Sequence, residues 1–410
     1  MFDVAIVGGG IAGLALALNL KRRGISSHVY EAAPEIKELG VGITLLPHAM
    51  RELTTLGLED NIRAVALETR ESCFFNRYGQ LIYKEPRGRF GGGPFPEMSI
   101  HRGRLHLALY RVALLELGDG RILTDRQCVA VEQADDHVLL HLRETSTGAA
   151  LPPVTAAVAI ACDGVNSAVR RQFYPDEQLA FAGINTWRGV TQHKPILTGR
   201  SYMRIGSIRT GKLVVYPIID DIDGAGNQLV NWMAEIETKT AERNDWNKPG
   251  RLEDFLPYYQ DWKFDWLDVP ELMSRADLIL EYPMVDKDPV ARWTFGRVTF
   301  AGDAAHPMYP RGSTGAAQAL VDVRTLADCL AREADPAAAL KAYESLRLGP
   351  TSLVVRTNRE HPPDFICIKV DELTGGRPFT DLDAVISQDE LRAMSEAYKR
   401  VAGYSAADLE

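Results

Sequence analysis

The sequence predicts an α/β protein in which a parallel sheet with helices is interrupted by a mainly antiparallel sheet and followed by a helical C-terminal region. Three observations predict this class. The chain opens on a buried strand, a glycine-rich turn and an apolar helix. Between about residues 175 and 285 the apolar pattern has a period of two in short segments, which is typical of antiparallel strands. After residue 330 the spacing is helical, with a break at Pro362-Pro363.

The N-terminal unit carries the first functional motif. Strand Asp3–Val7 runs into a G-x-G-x-x-G turn at residues 8–13, and the helix that follows ends at Gly24. The glycines of such a turn permit the tight bend, admit a pyrophosphate and let the helix pack closely on the strand. The helix N-terminus then faces the phosphates. A second strand, His28–Tyr30, ends at Glu31, where an acid binds ribose hydroxyls, so the unit predicts dinucleotide binding.

Composition narrows the classes of partner and compartment. The chain has 410 residues, 46% hydrophobic and 25% charged, which suits two domains or one domain with an insertion. A net charge of −9 makes nucleic acid and anionic membranes poor partners. No apolar run reaches the roughly 18 residues of a membrane helix, and no signal peptide precedes the first strand. Five cysteines without a C-x-x-C pair predict reduced thiols in a cytoplasmic protein without a metal site.

A second motif is an Asp-Gly pair delivered by a buried strand. The apolar strand Val154–Ala161 leads to Asp163 and Gly164, and a helix is expected to start at Asn166 or Ser167. Asp-Gly pairs elsewhere in the chain, at residues 119–120 and 223–224, lie in polar surroundings and are interpreted as ordinary turns. Open α/β sheets bind ligands at the carboxyl ends of their strands, so we expect Asp163 to meet a ligand.

The third motif, Gly302-Asp303-Ala304-Ala305-His306-Pro307, also follows a buried strand, predicted at Arg297–Ala301. Asp303 is placed to accept a hydrogen bond from a ribityl hydroxyl. The glycines of the next segment, Arg311–Gly315, let the backbone lie against a flat ring. The helix that begins there directs its N–H groups and positive potential at a ring that becomes anionic when reduced.

In this order and spacing the three motifs resemble the single-component FAD-dependent aromatic hydroxylases of the salicylate and p-hydroxybenzoate hydroxylase type, over about residues 1–345. Further segments resemble the branch of that family that includes the phenazine-modifying hydroxylase of pyocyanin biosynthesis: Leu39–Ile43, Ser99–Gly103, Trp187–Val190, Gly250–Pro257 and Tyr282–Asp286. The resemblance implies a Rossmann-like FAD-binding domain of the glutathione-reductase type. It implies that this domain is residues 1–72, 98–174 and 286–330, with a β-sheet substrate domain at 73–97 and 175–285 and helices at 331–410.

The resemblance also implies an activity and its site. NADH or NADPH visits transiently and reduces a tightly bound FAD, O2 forms a C4a-hydroperoxyflavin, and one oxygen atom passes to a small aromatic or N-heteroaromatic substrate, including carboxylated or phenolic ones. The implied FAD contacts are Gly8, Gly10, Ile11, Ala12 and Gly13 at the pyrophosphate, Glu31 at the adenosine ribose, Val129 near the adenine, Arg102, Asp163 (also for the nicotinamide cofactor), Asp303 at the ribityl chain, and Gly42, Ile43, Gly312 and Gly315 at the ring.

Candidates for proton transfer and substrate binding come from the segments nearest the expected ring. His48 follows the loop of residues 42–47 and Tyr216 lies on a predicted sheet strand, so the two are proposed as a proton-relaying pair that deprotonates a phenol. The alternative is that His48 caps its helix and Tyr216 is core. Trp187 and Arg188 are expected to wall the pocket, with Arg188 binding a carboxylate or forming a structural ion pair, and Pro307 is expected to contact the substrate.

Other functions compete with this hypothesis. A flavin-dependent halogenase would need a W-x-W-x-I-P segment, which the six tryptophans do not form. An FAD-dependent reductase or dehydrogenase without oxygen insertion and a non-catalytic flavin-binding protein both stay open. The sequence is compatible with a monomer or a homodimer and does not decide between NADH and NADPH.

Overall fold

The computed structural model describes residues 3–38, 40–238 and 248–410. Its strands, in chain order, are β1 (Asp3–Val7), β2 (Ser26–Tyr30), β3 (Gly42–Leu45), β4 (Ala66–Glu68), β5 (Glu71–Phe75), β6 (Leu81–Pro86), β7 (Met98–His101), β8 (Ile122–Leu123), β9 (Gln127–Gln133), β10 (Val138–Arg143), β11 (Val154–Ala156), β12 (Val158–Ala161), β13 (Ala180–His193), β14 (Ser201–Ser207), β15 (Gly211–Ile219), β16 (Gln228–Glu237), β17 (Lys248–Pro249), β18 (Lys263–Phe264), β19 (Leu267–Asp268), β20 (Ile279–Asp286) and β21 (Val298–Phe300).

The helices of the described residues are α1 (Ile11–Arg22), α2 (Pro47–Thr55), α3 (Glu59–Arg63), α4 (Arg102–Leu117), α5 (Ala168–Phe173), α6 (Leu252–Phe255), α7 (Val269–Ser274), α8 (Gly315–Arg332), α9 (Pro336–Glu360), α10 (Phe365–Thr374), α11 (Gln388–Ala402) and α12 (Ala406–Leu409). Within these described segments, no helix combines the length and apolar character needed to cross a membrane. The break predicted at Pro362-Pro363 lies between α9 and α10, because a residue before proline is disfavoured in a helix.

The first sheet is a five-stranded parallel sheet in the order β21-β12-β1-β2-β8. Its strands are buried, as in the all-buried pattern of Val158–Ala161, because α1 and α8 lie against each other over the sheet and α4 packs on α1. Helix α1 ends where Gly24, at φ +71°, donates to the carbonyl of Lys21. The parallel sheet and its helices carry the glycine-rich turn, the loop with Asp163-Gly164 and the loop with Gly302-Asp303.

The second large sheet has eight strands in the order β17-β20-β13-β16-β15-β14-β5-β6, and only its β14–β5 pair is parallel. One face packs against α6 and α7 through a core that includes Trp232, Phe255 and Leu272. Part of the other face is covered by α10 and α11, which pack against Phe74 and Tyr83. The predicted α/β class, with an inserted mainly antiparallel sheet and C-terminal helices, is confirmed.

One detail of the predicted elements was wrong. Val154–Ala161 is not one strand: β11 pairs with β10 in a three-stranded sheet, and β12 joins the parallel sheet. The chain changes sheets at Ala157, whose N–H donates to the carbonyl of Asp3. The segment from residue 73 to residue 97 contains the β5–β6 hairpin with its turn at residues 76–80, and residues 87–97 lie outside strands.

Candidate active site

The glycine turn after β1 has little room for side chains at two positions. Gly8 has φ +101°, and a Cβ there would lie 2.5 Å from the carbonyl oxygen of Cys162. A Cβ at Gly13 would overlap the carbonyl oxygen of Gly8. Helix α1 begins behind Gly10, and no side chain caps its N-terminus. The N–H groups at Ile11 and Ala12 therefore begin a helix whose first turn is open to an anion.

Glu31 stands beside this turn at the end of β2. Its Oε2 accepts a hydrogen bond of 2.6 Å from the N–H of Gly9, and its Oε1 accepts one of 2.7 Å from the N–H of Ala33. His106, on α4, bonds the carbonyl of Gly9 from the other side at 2.6 Å. A carboxylate oxygen can accept more than one hydrogen bond, so Glu31 keeps acceptor capacity for a ligand.

Asp163 meets the glycine turn from the end of β12. Its Oδ2 accepts a hydrogen bond of 2.9 Å from the N–H of Ala168 at the start of α5, while its Oδ1 is buried without a partner among the described residues. Burial raises the pKa of Asp163, and hydrogen bonds around the start of α5 oppose that shift. The first and second motifs thus lie against each other, since the Cα of Asp163 would be 3.0 Å from a Cβ at Gly8.

Asp303, in the loop after β21, belongs to the third sequence motif of the site. It is exposed and makes no hydrogen bond or ion pair with the described part of the chain. Its loop packs between two helices, because a Cβ at Gly302 would lie 3.2 Å from the methyls of both Ala12 and Ala319. Helix α8 begins nearby at Gly315, also without a side-chain cap. A free carboxylate and a second open helix N-terminus therefore face the same region.

A buried acid, Asp322, supports the Asp303 loop from below. Its Oδ2 accepts a hydrogen bond of 3.1 Å from the N–H of Gly302 and another from His306 Nε2, and its Oδ1 accepts one of 2.7 Å from Arg347. Burial alone would raise the pKa of Asp322, but His306 and Arg347 outweigh it and hold that pKa below its ordinary value. His306 is therefore held behind the loop by its contact with Asp322.

Two of the predicted ring contacts owe their glycine to protein packing. The N–H of Gly42 donates to Asn231 Oδ1 at 2.8 Å, and a Cβ at Gly42 would lie 2.7 Å from the Asn231 side chain. A Cβ at Gly312 would overlap the hydroxyl of Tyr398, which itself bonds Asn358 at 2.6 Å. The packing of Tyr398 and Asn358 by itself requires glycine at position 312, and the contact of Gly312 with a flat ring stays a prediction.

The pocket-wall assignment of Trp187 was wrong. Neighbouring residues of a strand point to opposite faces of the sheet. Trp187 stacks on Phe255 at 5.3 Å between ring centroids, on the face covered by α6 and α7. Arg188 lies on the other face, where its guanidinium is 5.1 Å from the centroid of the Tyr282 ring. Arg188 forms no ion pair with a described residue, and its contact with a substrate carboxylate stays a prediction.

His48 and Tyr216 do not form the predicted hydrogen-bonded pair. The His48 ring is buried and stacks on Tyr404 at 5.1 Å, and neither ring nitrogen has a hydrogen-bond partner in the described chain. Burial, aided by Arg51 and Arg347, lowers the pKa of His48 to about 3. The capping alternative is wrong as well, because the N-cap of α2 is Leu46.

Tyr216 lies on the same sheet face as Arg188 and stacks on Tyr202 at 4.8 Å between ring centroids. Burial raises the pKa of Tyr216, so its phenol stays protonated at neutral pH. The hydroxyl of Tyr202 is 3.2 Å from that of Ser313, in the loop that precedes α8. The stacked tyrosines therefore connect the sheet to the loop that carries Gly312 and Gly315.

The remaining predicted residues are distributed around this region. Arg102 is exposed at the first position of α4, with its N–H bonded to the Val41 carbonyl at 2.9 Å. Ile43 is half-buried in β3, and Pro307 is buried behind Asp303. Val129 is 43% exposed on β9. Their contacts with a cofactor or substrate stay predictions.

The structure adds a buried charge network that the sequence analysis missed. Lys212 Nζ lies 2.8 Å from Glu235 Oε2 and 3.2 Å from Asp364 Oδ2, and Arg311 reaches the same Asp364 oxygen at 2.8 Å. Burial alone would raise the pKa of Asp364, but Lys212 and Arg311 hold it well below its ordinary value. Glu235 Oε1 and Asp364 Oδ1 are buried without partners among described residues. Arg311 is thus held in a buried ion pair with Asp364.

Alternation along the predicted strands could have revealed part of this face. Lys212, Val214 and Tyr216 are spaced by two residues, as are Tyr202 and Arg204, so each set shares a face of its strand. The register between strands, and the approach of Asp364 from the C-terminal region, depend on contacts that are distant in sequence. No local sequence pattern predicts this register or the position of Asp364.

The glycine turn, the two open helix N-termini and the carboxylates of Glu31 and Asp303 fit a dinucleotide that carries a polyol and a flat ring. Together with the fold they define an FAD-binding oxidoreductase. A model of the family described as FAD binding domain matches residues 1–245 and 282–357. The chain belongs to this family, which confirms the sequence-based recognition.

Named relatives in this family are aromatic hydroxylases. The chain is 40% identical over 363 residues to phenazine 1,6-dicarboxylic acid hydroxylase PhzS of Lysobacter antibioticus, covering 87% of the chain and 89% of that protein. It is 33% identical to 3-amino-4-hydroxybenzoate 2-monooxygenase of Streptomyces cremeus, covering 99% of the chain and 97% of that protein. These findings confirm the prediction of an FAD-dependent aromatic monooxygenase that uses NAD(P)H and O2.

Solved structures agree with the fold. A salicylate hydroxylase in complex with its substrate superposes with a TM-score of 0.76 at 21% identity, covering 100% of this chain and 97% of that one. HpxO of Klebsiella pneumoniae, complexed with FAD and uric acid, gives a TM-score of 0.76 at 21% identity, covering 99% and 97%.

Proposed function

We propose that this FAD-dependent aromatic monooxygenase hydroxylates a flat N-heteroaromatic acid of the phenazine carboxylate kind. The observation that carries the proposal is the sheet face formed by the stacked Tyr202–Tyr216 pair, which offers aromatic surface beside arginine side chains. The likeness to a phenazine 1,6-dicarboxylic acid hydroxylase across 87% of the chain supports the same substrate class.

The cofactor contacts are part of the proposal. The turn at Gly8–Gly13 and the N-terminus of α1 hold the pyrophosphate, Glu31 the adenosine ribose, and Asp303 the ribityl chain. The N-terminus of α8, at Gly315, faces the ring, and Asp163 contributes its buried, unpartnered oxygen at the meeting of the first two motifs. When bound and reduced by NADH or NADPH, FAD supplies the activation of O2 for insertion into an aromatic ring.

The chain's own residues bind and orient the substrate. Tyr202 and Tyr216 offer the ring surfaces that their mutual stacking leaves free, and the Tyr216 hydroxyl, which stays protonated, can donate a hydrogen bond. The buried setting of this face excludes water from the reacting groups. His48 is neutral at physiological pH and its lowered pKa makes it a weak base. We keep the proposal that His48 acts as a general base, but without proton transfer through Tyr216.

We extend the proposal to the organisation of the chain. Residues 1–72, 98–174 and 286–330 form the FAD-binding domain, 73–97 and 175–285 the substrate domain, and 331–410 the C-terminal helical region. The parallel sheet and the eight-stranded sheet support this division. We infer a cytoplasmic enzyme that acts as a monomer or a homodimer, a location that its five free, buried cysteines suit.

A panel of aromatic acids, pyridines, phenazines and quinolones tests the proposal. The FAD-loaded protein is mixed with each compound, and the rate of flavin reduction by NADH and by NADPH is measured. We expect phenazine carboxylates to accelerate reduction most and to give a product heavier by one oxygen atom. A panel in which simple benzoates alone are hydroxylated would overturn the substrate class.

A further inference from the structure

Arg204 is a buried cation that forms no direct ion pair in the described chain, and at longer range its charge contributes to the lowered pKa of Asp364. Its side chain projects from β14, the residue is 6% exposed, and its Nη1 donates to Ser72 Oγ at 2.8 Å. The guanidinium lies 4.4 Å from the centroid of the Tyr202 ring and 5.0 Å from that of Phe74. It forms no ion pair with a carboxylate of the described chain. A buried charge of this kind is costly unless an anion compensates it.

A second arginine on the same face is in a similar state. Arg188, on β13, has a buried Nε without a hydrogen-bond partner among described residues, and its guanidinium faces the Tyr282 ring. The acids of the neighbouring charge network form ion pairs with other cations, each through one of its two oxygens. Glu235 is bound to Lys212, and Asp364 is shared by Lys212 and Arg311. Both arginines therefore keep guanidinium capacity for an incoming anion.

The register of the sheet sets the spacing of this pair. Arg188 is opposite Met233, Met233 opposite Val214, and Val214 opposite Arg204, so all four lie in one row across β13, β16, β15 and β14. Three strand spacings place the two arginine Cα atoms about 14 Å apart. Tyr202 and Tyr216 stack in the neighbouring row, on β14 and β15, beside the Arg204 end of the face. The face thus has a cation at either end of one row, with Val214 and Met233 between them and the tyrosine pair along one side.

We propose that Arg188 and Arg204 form a two-ended anion clamp, each binding one carboxylate of a flat aromatic dicarboxylate that lies along the Tyr202–Tyr216 pair. This inference rests on the proposed function, because it places that substrate on this sheet face. Guanidinium groups bind carboxylates through paired hydrogen bonds, which fixes the direction as well as the strength of the contact. The clamp selects a dianion and fixes the orientation of its ring.

Equilibrium binding tests the clamp separately from catalysis. Isothermal titration of the FAD-loaded protein uses phenazine-1,6-dicarboxylate, phenazine-1-carboxylate and phenazine. We expect the wild type to bind the dicarboxylate at least about tenfold more tightly than the monocarboxylate, since a hydrogen bond to a charged group is worth that much. Arg188→Gln and Arg204→Gln should each bind the two acids with nearly equal affinity. The control Arg209→Gln removes an exposed arginine paired with Glu372 and should keep the wild-type preference.

Arg204→Lys guards against a folding artefact, because it keeps the charge and should retain part of the preference. FAD content and thermal unfolding are measured for every variant. The clamp is wrong if the wild type does not prefer the dicarboxylate, or if both glutamine variants keep that preference. Hydroxylation without any preference for the dicarboxylate would remove the clamp and leave the proposed function. A preference that the variants abolish, without any hydroxylated product, would keep the clamp and remove the proposed function.

Discussion

Arg311 and Asp364 form a buried ion pair, 2.8 Å between Nη2 and Oδ2, that joins the loop before α8 to the residue before α10. Lys212 on β15 binds the same carboxylate oxygen at 3.2 Å. One acid therefore connects the loop next to the expected flavin ring, the substrate sheet and the C-terminal helices. The C-terminal region takes part in the architecture of the site rather than only following it.

Removal of this acid should destabilise the fold. Asp364→Ala leaves Lys212 and Arg311 buried without their shared anion, which costs about 3–5 kcal/mol. Urea unfolding of the two proteins at neutral pH measures the difference. Glu253→Ala is the control, because its ion pair with Arg251 is on the surface and should not affect the midpoint. Equal midpoints for wild type and Asp364→Ala would contradict the role of the network.

Gly312 should not tolerate even a methyl group. Gly312→Ala places a Cβ against the Tyr398 hydroxyl and Asn358, and overpacking of this kind costs about 1–3 kcal/mol. Gly315→Ala is a matched control three residues later, because its Cβ would have no neighbour nearer than 3.9 Å. Thermal unfolding should show a lower Tm for Gly312→Ala alone. Equal losses in both variants would show that Tyr398 is not the cause.

Asp303 should matter for FAD and not for folding. Its carboxylate is exposed and has no partner in the described chain, so Asp303→Ala removes no contact within the protein. The lost hydrogen bond to a ribityl hydroxyl should weaken FAD binding by about 1.5–3 kcal/mol. Flavin content of the purified variant and fluorescence titration of the stripped protein measure this. Full flavin occupancy with unchanged affinity would reject the assignment.

His48 should make the protein sensitive to acid. Burial lowers the pKa of His48 to about 3 from an ordinary 6.5, so the unfolded chain takes up this proton first as the pH falls. The contribution of the neutral His48 imidazole to the free energy of unfolding is fully present above pH 6.5 and is lost progressively down to about pH 3. His48→Phe keeps a ring against Tyr404 and removes the titrating group. Between pH 6.5 and about pH 4 its free energy of unfolding should therefore fall by about 3 kcal/mol less than that of the wild type.

Urea midpoints across this pH range test that expectation. His193→Asn is the control, because its ring bonds a backbone carbonyl, that of Lys194, in an exposed contact, and its removal should leave the pH dependence of the midpoint as in the wild type. Identical pH dependences for wild type and His48→Phe would mean that the His48 imidazole does not titrate between the two states.

The motifs predicted the ligand edge of the parallel sheet well, for a physical reason. Gly8, Asp163 and Gly302 each follow a buried strand, and parallel strands deliver their carboxyl ends to one edge. Local sequence thus contains both the strand and the residue after it. The same logic located Glu31 beside the turn.

Predictions about the substrate face were less successful, because they depend on which side of a strand a residue occupies. Trp187 and Arg188 were assigned to one wall, although adjacent strand residues face opposite ways. The proximity of Arg204 to Tyr202 follows from one strand, but its place in a row with Arg188 depends on the pairing of four strands. The packing reason for glycine at position 312 could not be predicted, because Tyr398 belongs to a helix far along the chain.

One measurement tests the central claim most directly: turnover of phenazine-1,6-dicarboxylate by the FAD-loaded protein with NADH or NADPH under isotopically labelled O2. The account predicts that the compound accelerates flavin reduction and that the product carries one labelled oxygen atom on its ring. Flavin reduction without any labelled ring product, with all the oxygen released as peroxide, would contradict it.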